Sequence, residues 1–183
     1  AEEEEPNACL YSKSDLVIAG SGSLTVNANY NNGITGKDTL FIQKASVTVT
    51  AVNHGINGKD SLTIKDADIT VTSGGDALRS TNDSDTTLGY LVITGSALKL
   101  TAGEDGIQAE TTLTISGGTA TVTTAGGADQ SISDDTSAKG LKAGTQVTVT
   151  GGTFQLNCCD DAIHSNGDVT ISGGSFTIAT ADD

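Results

Sequence analysis

Acidic residues return at one phase of this 183-residue chain. Asp76, Asp105, Asp161 and Asp183 are separated by 29, 56 and 22 residues, and Glu104, Asp160 and Asp182 each stand one place ahead of a member of that series. Carboxylates brought into a stack repel one another, so an acidic column calls for a cation. Oxygen from carboxylates and turn carbonyls suits a hard divalent ion, Ca²⁺ first. The expected metal ligands are Asp76, Glu104 and Asp105 in one group and Asp160, Asp161, Asp182 and Asp183 in another. Lys139 holds the same phase between Asp105 and Asp161, where an ammonium would supply internally the charge a metal supplies elsewhere. Two further stretches, around Asp83 and Asp85 and around Asp134 and Asp135, are candidate metal loops. The first opens like a calcium loop but lacks the closing Gly and Glu of an EF-hand.

The phase is that of a repeat, and repeats decide architecture before anything else does. A small-Ile/Leu-x-small signature begins at Ala8, Asn32, His54, Asp76, Asp105, Lys139 and Asp161, at spacings of 24, 22, 22, 29, 34 and 22 residues. There are thus seven copies of a 22-residue unit, with insertions near residues 81–87 and 125–138. Each unit carries two runs of period two, such as Leu62-Thr63-Ile64 and Ile69-Thr70-Val71. Bounded by Gly, Asn and Asp, they read as short half-buried strands. Such a unit, repeated in phase, is one coil of a parallel β-helix. Stacked coils would align Leu10, Ile34, Ile56, Leu78, Ile107, Leu141 and Ile163 in one inward file, and Phe154 with Phe176 in another. The expected fold is all-β: residues 1–7 an acidic lead-in, residues 8–183 a single parallel β-helix (solenoid) domain.

Composition narrows the function. A net charge of −14 with only nine Lys and Arg argues against nucleic acid. No apolar stretch approaches the length of a membrane-spanning helix. One Pro, no Met and no Trp, with abundant Thr, Ser, Gly, Asn and Asp, point to a secreted protein, extracellular or at the cell surface. The acidic start resembles a mature terminus left after removal of a signal segment.

Asp160-Asp161-Ala162-Ile163-His164-Ser165 followed by Val169-Thr-Ile-Ser-Gly-Gly-Ser-Phe176 has a cousin in Glu104-Asp105-Gly106-Ile107-Gln108-Ala109 followed by Leu113-Thr-Ile-Ser-Gly-Gly-Thr119. Together they resemble a family of secreted, calcium-binding, carbohydrate-binding β-helix proteins related in fold to polysaccharide lyases. That resemblance implies a right-handed, single-stranded helix with calcium at the Asp-rich corners. It also implies binding of cellulose or acidic plant polysaccharide without established catalysis. Lys139, Asn32 and His54 depart from the family's corner.

Three places after each anchor lies an outward file, Tyr11, Thr35, Asn57, Arg79, Gln108, Lys142 and His164. From it Tyr11, Asn57, Arg79, Gln108, Lys142 and His164 are candidates for a glycan-binding face. A lyase would need calcium to neutralise a uronate and a base to take its α-proton. The basic members are dispersed over coils four, six and seven, so no catalytic residue is assigned and no enzyme is expected.

A structural role is the third reading. No polar cap closes the last coil, so a second copy would continue the register and form a head-to-tail extracellular filament. Cys9 lies about 24 Å along the stack from Cys158 and Cys159, beyond disulfide reach. The three are candidates for bridges between stacked molecules, with a strained Cys158–Cys159 bond or free thiols as alternatives. The expected function is a non-catalytic, calcium-stabilised β-helix that stacks as a filament subunit, adheres to polysaccharide, or both. A monomeric cellulose- or acidic-polysaccharide-binding module is the first alternative, and a calcium-dependent polysaccharide lyase the second.

Overall fold

The structure, a computed structural model, describes residues 6–133 and 135–182. Every regular element among them is a β-strand, and no helix forms. All strand pairs are parallel, each strand bonding to its counterpart one repeat away. Ala8–Ser12, Asn32–Gly36, Ile56–Gly58, Leu78–Ser80, Ile107–Ala109, Leu141–Ala143 and Ile163–Ser165 make a seven-stranded sheet in strict chain order. Between successive members the chain passes through the other, larger sheet.

That second sheet begins as two rows. Leu16–Ala19, Thr39–Gln43, Ser61–Lys65 and Tyr90–Thr94 form one, and Ser23–Ala28, Ser46–Ala51, Asp68–Ser73 and Ala97–Ala102 the other. The rows merge in the long strand Thr112–Thr124, which pairs with both and then with Gln146–Cys158. Sequence pattern alone divides this segment into two strands at Gly117-Gly118. Here the strand runs through the corner, with a register shift between Ile115 and Thr119 and φ of 75° and 87° at the two glycines. A Cβ on Gly118 would fall 2.1 Å from the Ser96 carbonyl oxygen, so no larger residue fits. Lys44 and Asp66 take the same left-handed conformation in earlier repeats (φ 54° and 50°), which costs a non-glycine residue about 1–2 kcal/mol.

Between the sheets lies a core of stacked aliphatic files. Burial alternates strictly along Ser46–Ala51, Asp68–Ser73 and Ala97–Ala102, each showing one exposed and one buried residue in turn. Leu10, Ile34, Ile56, Leu78, Ile107, Leu141 and Ile163 are register partners in sequence. So are Leu16, Leu40, Leu62, Leu91, Leu113, Val147 and Val169 in the second sheet. Phe154 and Phe176 stack with centroids 4.6 Å apart and planes 7° from parallel. Each fully buried aliphatic side chain contributes about 1.5–3 kcal/mol of transfer free energy, and no single repeat could bury its own.

Candidate functional site

The repeat anchors stand at or just before the strands of the seven-stranded sheet. Four of them, Asn32, His54, Asp76 and Asp105, accept a hydrogen bond from the backbone amide of the next anchor. Asn32 Oδ1 accepts from the His54 amide at 3.2 Å, and His54 Nδ1 from the Asp76 amide at 2.9 Å. Asp76 Oδ1 accepts from the Asp105 amide at 3.1 Å, and Asp105 Oδ1 from the Lys139 amide at 2.8 Å. Buried amides left without acceptors cost about 1–3 kcal/mol each, so the corner demands an acceptor before it demands a charge. Lys139 has none to offer. In its repeat, Asp160 Oδ1 accepts from the Asp161 amide at 2.8 Å instead.

Carboxylates in this file are neutralised from within the chain. Asp105, 3% exposed, receives the Lys142 Nζ at 2.8 Å and the Ser137 hydroxyl at 2.7 Å as well as the Lys139 amide. The Lys139 ammonium lies 2.7 Å from both Asp160 and Asp161. Burial pulls the Lys139 ammonium down, but its two carboxylate partners outweigh that and hold it above the ordinary lysine value. Asp160 mirrors it: burial pushes the carboxyl up, and Lys139 with the Asp161 and Ala138 amides brings it below the usual range. Burial likewise pushes Asp76 up, while His54, Arg79 and the Asp105 amide bring it down further.

The expected metal groups therefore come together only in part. Asp105 and the Asp160–Asp161 pair face internal cations. Asp76 and Glu104 do approach each other, and His54 joins them, one ligand-type atom from each lying within 4.8 Å of the others. His54 was a departure from the acidic pattern, and only the register places it here. Arg79 Nη1 sits 2.8 Å from His54 Nε2 and 3.5 Å from Asp76 Oδ2. Asp182 lines a hollow with Asp135, Asp160 and Lys139, while Asp134 and Asp183 lie outside the described residues. In the first insertion, Asp85 accepts from the amide and hydroxyl of Thr87, which hold its carboxyl below the usual range. Asn82 caps that turn by accepting from Ser84 and Asp85, and Asp83 is exposed on it.

Tyr11, Thr35, Asn57, Arg79, Gln108, Lys142 and His164 are successive register partners, one file along the seven-stranded sheet, but Thr35 and Asn57 are buried within it (2% and 7% exposed), so the expected open position of Asn57 is corrected. Two adjoining hollows run along it. One, of about 440 Å³, is lined by Glu104, Gln108, Glu110, Asp135 and Lys142 among others, and the next, of about 290 Å³, by Thr35, Lys37, Asn57 and Lys59. Arg79 and Thr81 line both, so they form a continuous groove. The basic residues of the file are paired: Lys142 with Asp105, and His164 Nδ1 with Asp161 Oδ2 at 2.8 Å. Lys37 and Lys59 also line this face, and their signal in the sequence is Gly36-Lys37-Asp38, repeated in register as Gly58-Lys59-Asp60.

The cysteine expectation needs correction. Cys9 is exposed, but Cys158 and Cys159 are buried at 0% and 2% exposure and all three are free thiols. A bridge from a stacked neighbour's Cys9 has no accessible sulfur at that end. Burial, together with the Asp160 charge, pushes the Cys158 thiol up to about 11 against the hydrogen bond with Thr124, so it stays protonated at neutral pH.

Residues 1–183 match the family described as "Carbohydrate-binding domain-containing protein". The chain belongs to that family. A relative of the same description from Acetivibrio thermocellus is 48% identical over 114 residues, which is 62% of this chain and 40% of the relative. A solved structure, the "polysaccharide lyase-like protein from C. thermocellum, Gadolinium derivative", is similar at 30% identity with a TM-score of 0.62, covering 95% of this chain and 58% of that one. The chain thus spans about two-fifths of the length of the relative it matches. No helix in the described residues is long and apolar enough to cross a membrane.

Proposed function

We propose that residues 8–183 wind as a right-handed parallel β-helix that binds polysaccharide without catalysis, on the outer face of the seven-stranded sheet. The observation that carries this reading is the continuous polar groove shared by Arg79 and Thr81. Its floor presents one side chain per strand at a rise of about 4.8 Å, close to the length of one sugar ring in an extended glycan. The family description and the lyase-like neighbour support a glycan as the ligand. Pairing of Lys142 with the Asp105 carboxylate supports binding over proton abstraction at that residue, since a general base needs a free lone pair in reach of substrate. A secreted or cell-surface setting follows from such a ligand.

Calcium does not fit this reading as a resident ion. The Asp105 oxygens are taken by Lys139, Lys142 and Ser137, and the Lys139 ammonium lies between Asp160 and Asp161. At Asp76 and Glu104 the third donor is an imidazole, a ligand of transition metals rather than of calcium, and Arg79 already supplies positive charge there.

Affinity electrophoresis against a panel of neutral and acidic polysaccharides tests the binding reading. Retardation by at least one, weakened several-fold in Gln108→Ala and unchanged in Thr121→Ala on the other sheet, is expected. Free migration through every gel would overturn it.

A further inference from the structure

Asn-Gly occurs three times in the chain, as Asn32-Gly33, Asn57-Gly58 and Asn166-Gly167. The dipeptide carries a reaction of its own, in which the glycine amide attacks the side-chain carbonyl of the asparagine. Glycine has no Cβ to shield that amide or to restrict its rotation. Nucleophile and electrophile are neighbours in one chain, so the step has the high effective concentration of an intramolecular reaction. Closing the succinimide ring still requires the backbone to turn at the asparagine and the glycine amide to leave its hydrogen bond. The fold therefore decides which of the three pairs reacts.

Two pairs are locked. Asn32-Gly33 opens the strand Asn32–Gly36, and Asn32 is 3% exposed. Its Oδ1 accepts from the His54 amide, and the Gly33 amide donates to the His54 carbonyl at 2.9 Å, so the next repeat holds both reacting groups. Asn57-Gly58 ends the strand Ile56–Gly58, with Asn57 7% exposed and Gly58 buried. The third pair is placed differently. Asn166 and Gly167 are exposed and make the bend between Ile163–Ser165 and Asp168–Ile171, which joins the two sheets in the last repeat. The Gly167 amide donates to the Ser165 hydroxyl at 3.2 Å. The Asn166 side-chain oxygen lies 3.1 Å from His164 Nε2. Both reacting groups thus rest on side chains of their own repeat, not on the backbone of a neighbour. Packing accounts for the glycine, since a Cβ there would fall 2.2 Å from the Thr145 carbonyl oxygen. It places no such demand on the exposed asparagine.

We propose that Asn166 is a site of self-modification, which converts in the folded protein to aspartate and isoaspartate. The Gly167 nitrogen gives its proton to solvent base and bonds to Asn166 Cγ. The carboxamide C–N bond breaks, and its nitrogen takes up a proton and leaves as ammonia. Water then adds to one of the two succinimide carbonyls and opens the ring. One opening leaves an aspartate. The other leaves an isoaspartate, whose main chain runs through the former side chain and is one atom longer. Either product adds a negative charge beside Asp168. Register pairs Ala143 with Ser165 before the bend and Gln146 with Asp168 after it, so the bend itself must absorb the extra atom. The inference stands apart from the glycan reading.

Peptide mapping by mass spectrometry tests it on the whole folded chain stored at mildly alkaline pH, with isoaspartyl methyltransferase labelling the isoaspartate. Asn166 is expected to deamidate at least about tenfold faster than Asn32 or Asn57, because pairs in buried strands react only through local opening. In urea the three rates should converge, since each pair then keeps only its local chemistry. Asn166→Gln, which would have to close a larger ring, should lose the fast conversion and keep the parent's melting temperature. Comparable rates at the three pairs in the folded protein would overturn the proposal. So would a fast mass gain that persists in Asn166→Gln. A tenfold gap that survives in urea would overturn selection by the fold and assign it to the flanking residues.

Discussion

The anchor file has two halves, and they solve one problem differently. In repeats two and three the next amide is accepted by neutral groups, Asn32 Oδ1 and His54 Nδ1. In repeats four and five it is accepted by carboxylates, Asp76 and Asp105, and from there on each charge brings its own counter-charge: Arg79, Lys142, then Lys139. What the halves share is an acceptor at a fixed reach. What separates them is the need to keep negative charges apart once they are stacked. Seen as a row of acids, the file suggests a metal. Seen as a row of acceptors, it includes Asn32 and His54 without exception and explains why Lys139 needs Asp160 beside it.

The largest expected effect comes from removing the acceptor with the most partners. Asp105→Ala strands the Lys139 amide, the Ser137 hydroxyl and the Lys142 ammonium together. Breaking a buried pair on one side costs about 3–5 kcal/mol. Asn32→Ala strands a single amide and should cost about 1–2 kcal/mol. Urea unfolding of both variants checks the ratio. Equal losses would mean that the charged half holds the corner no more firmly than the neutral half.

Next in size is Lys139→Met, which leaves Asp160 and Asp161 facing each other without their ammonium. The pair is partly exposed, with side chains at 18% and 26%, so about 1–3 kcal/mol is expected rather than a fully buried value. The variant should also gain what the parent lacks, a rise in melting temperature on adding millimolar Ca²⁺, while chelator leaves the parent unmoved. Calcium-dependent melting of the parent would restore the metal to this corner. The same triad sets pH limits. The Asp160 carboxyl is held below its ordinary 3.8, so its stabilising contribution is present above 3.8 and is lost as pH falls through the lower folded value. The Lys139 ammonium is held above 10.5, so its contribution is present below 10.5 and is lost as pH rises through the higher folded value. The stability gap between parent and Lys139→Met should be widest between those limits and close outside them.

Much of the fold was legible in the sequence because the repeat and the period-two runs act on the same residues. A file such as Leu16, Leu40, Leu62, Leu91, Leu113, Val147 and Val169 has one hydrophobic alternative per repeat, and a slip by one residue would turn every member outward. The merging of two rows through Gly117-Gly118 was not legible, since a glycine pair marks a corner whether or not pairing continues across it. At the site, positions were readable and partners were not. Ser137 reaches Asp105 across 32 residues through the second insertion, whose length carries no pattern that fixes its path. The acids of the corner were visible as charges. Their hydrogen bonds to the next repeat's amides were not, because backbone donors leave no trace in composition. Lys37 and Lys59 share a phase in the sequence, but only a third cation from repeat four makes them a pocket.

The smallest effect bears most directly on why the two halves exist. If the corner asks only for an acceptor at the reach of His54 Nδ1, an Asn oxygen placed on the same carbon skeleton meets it, as Asn32 does one repeat earlier. His54→Asn should then change stability by less than about 1 kcal/mol, within the cost of a small volume change in a half-buried site. His54→Ala should lose about 1–2 kcal/mol through the orphaned Asp76 amide. His54→Asn also removes the ring nitrogen that faces Arg79, so it frees the guanidinium while keeping an acceptor for the Asp76 amide. A loss in His54→Asn as large as in His54→Ala would mean that the imidazole does more than accept. The close contacts of His54 with Arg79, Asp76 and Glu104 would then have to be counted as a functional cluster in their own right.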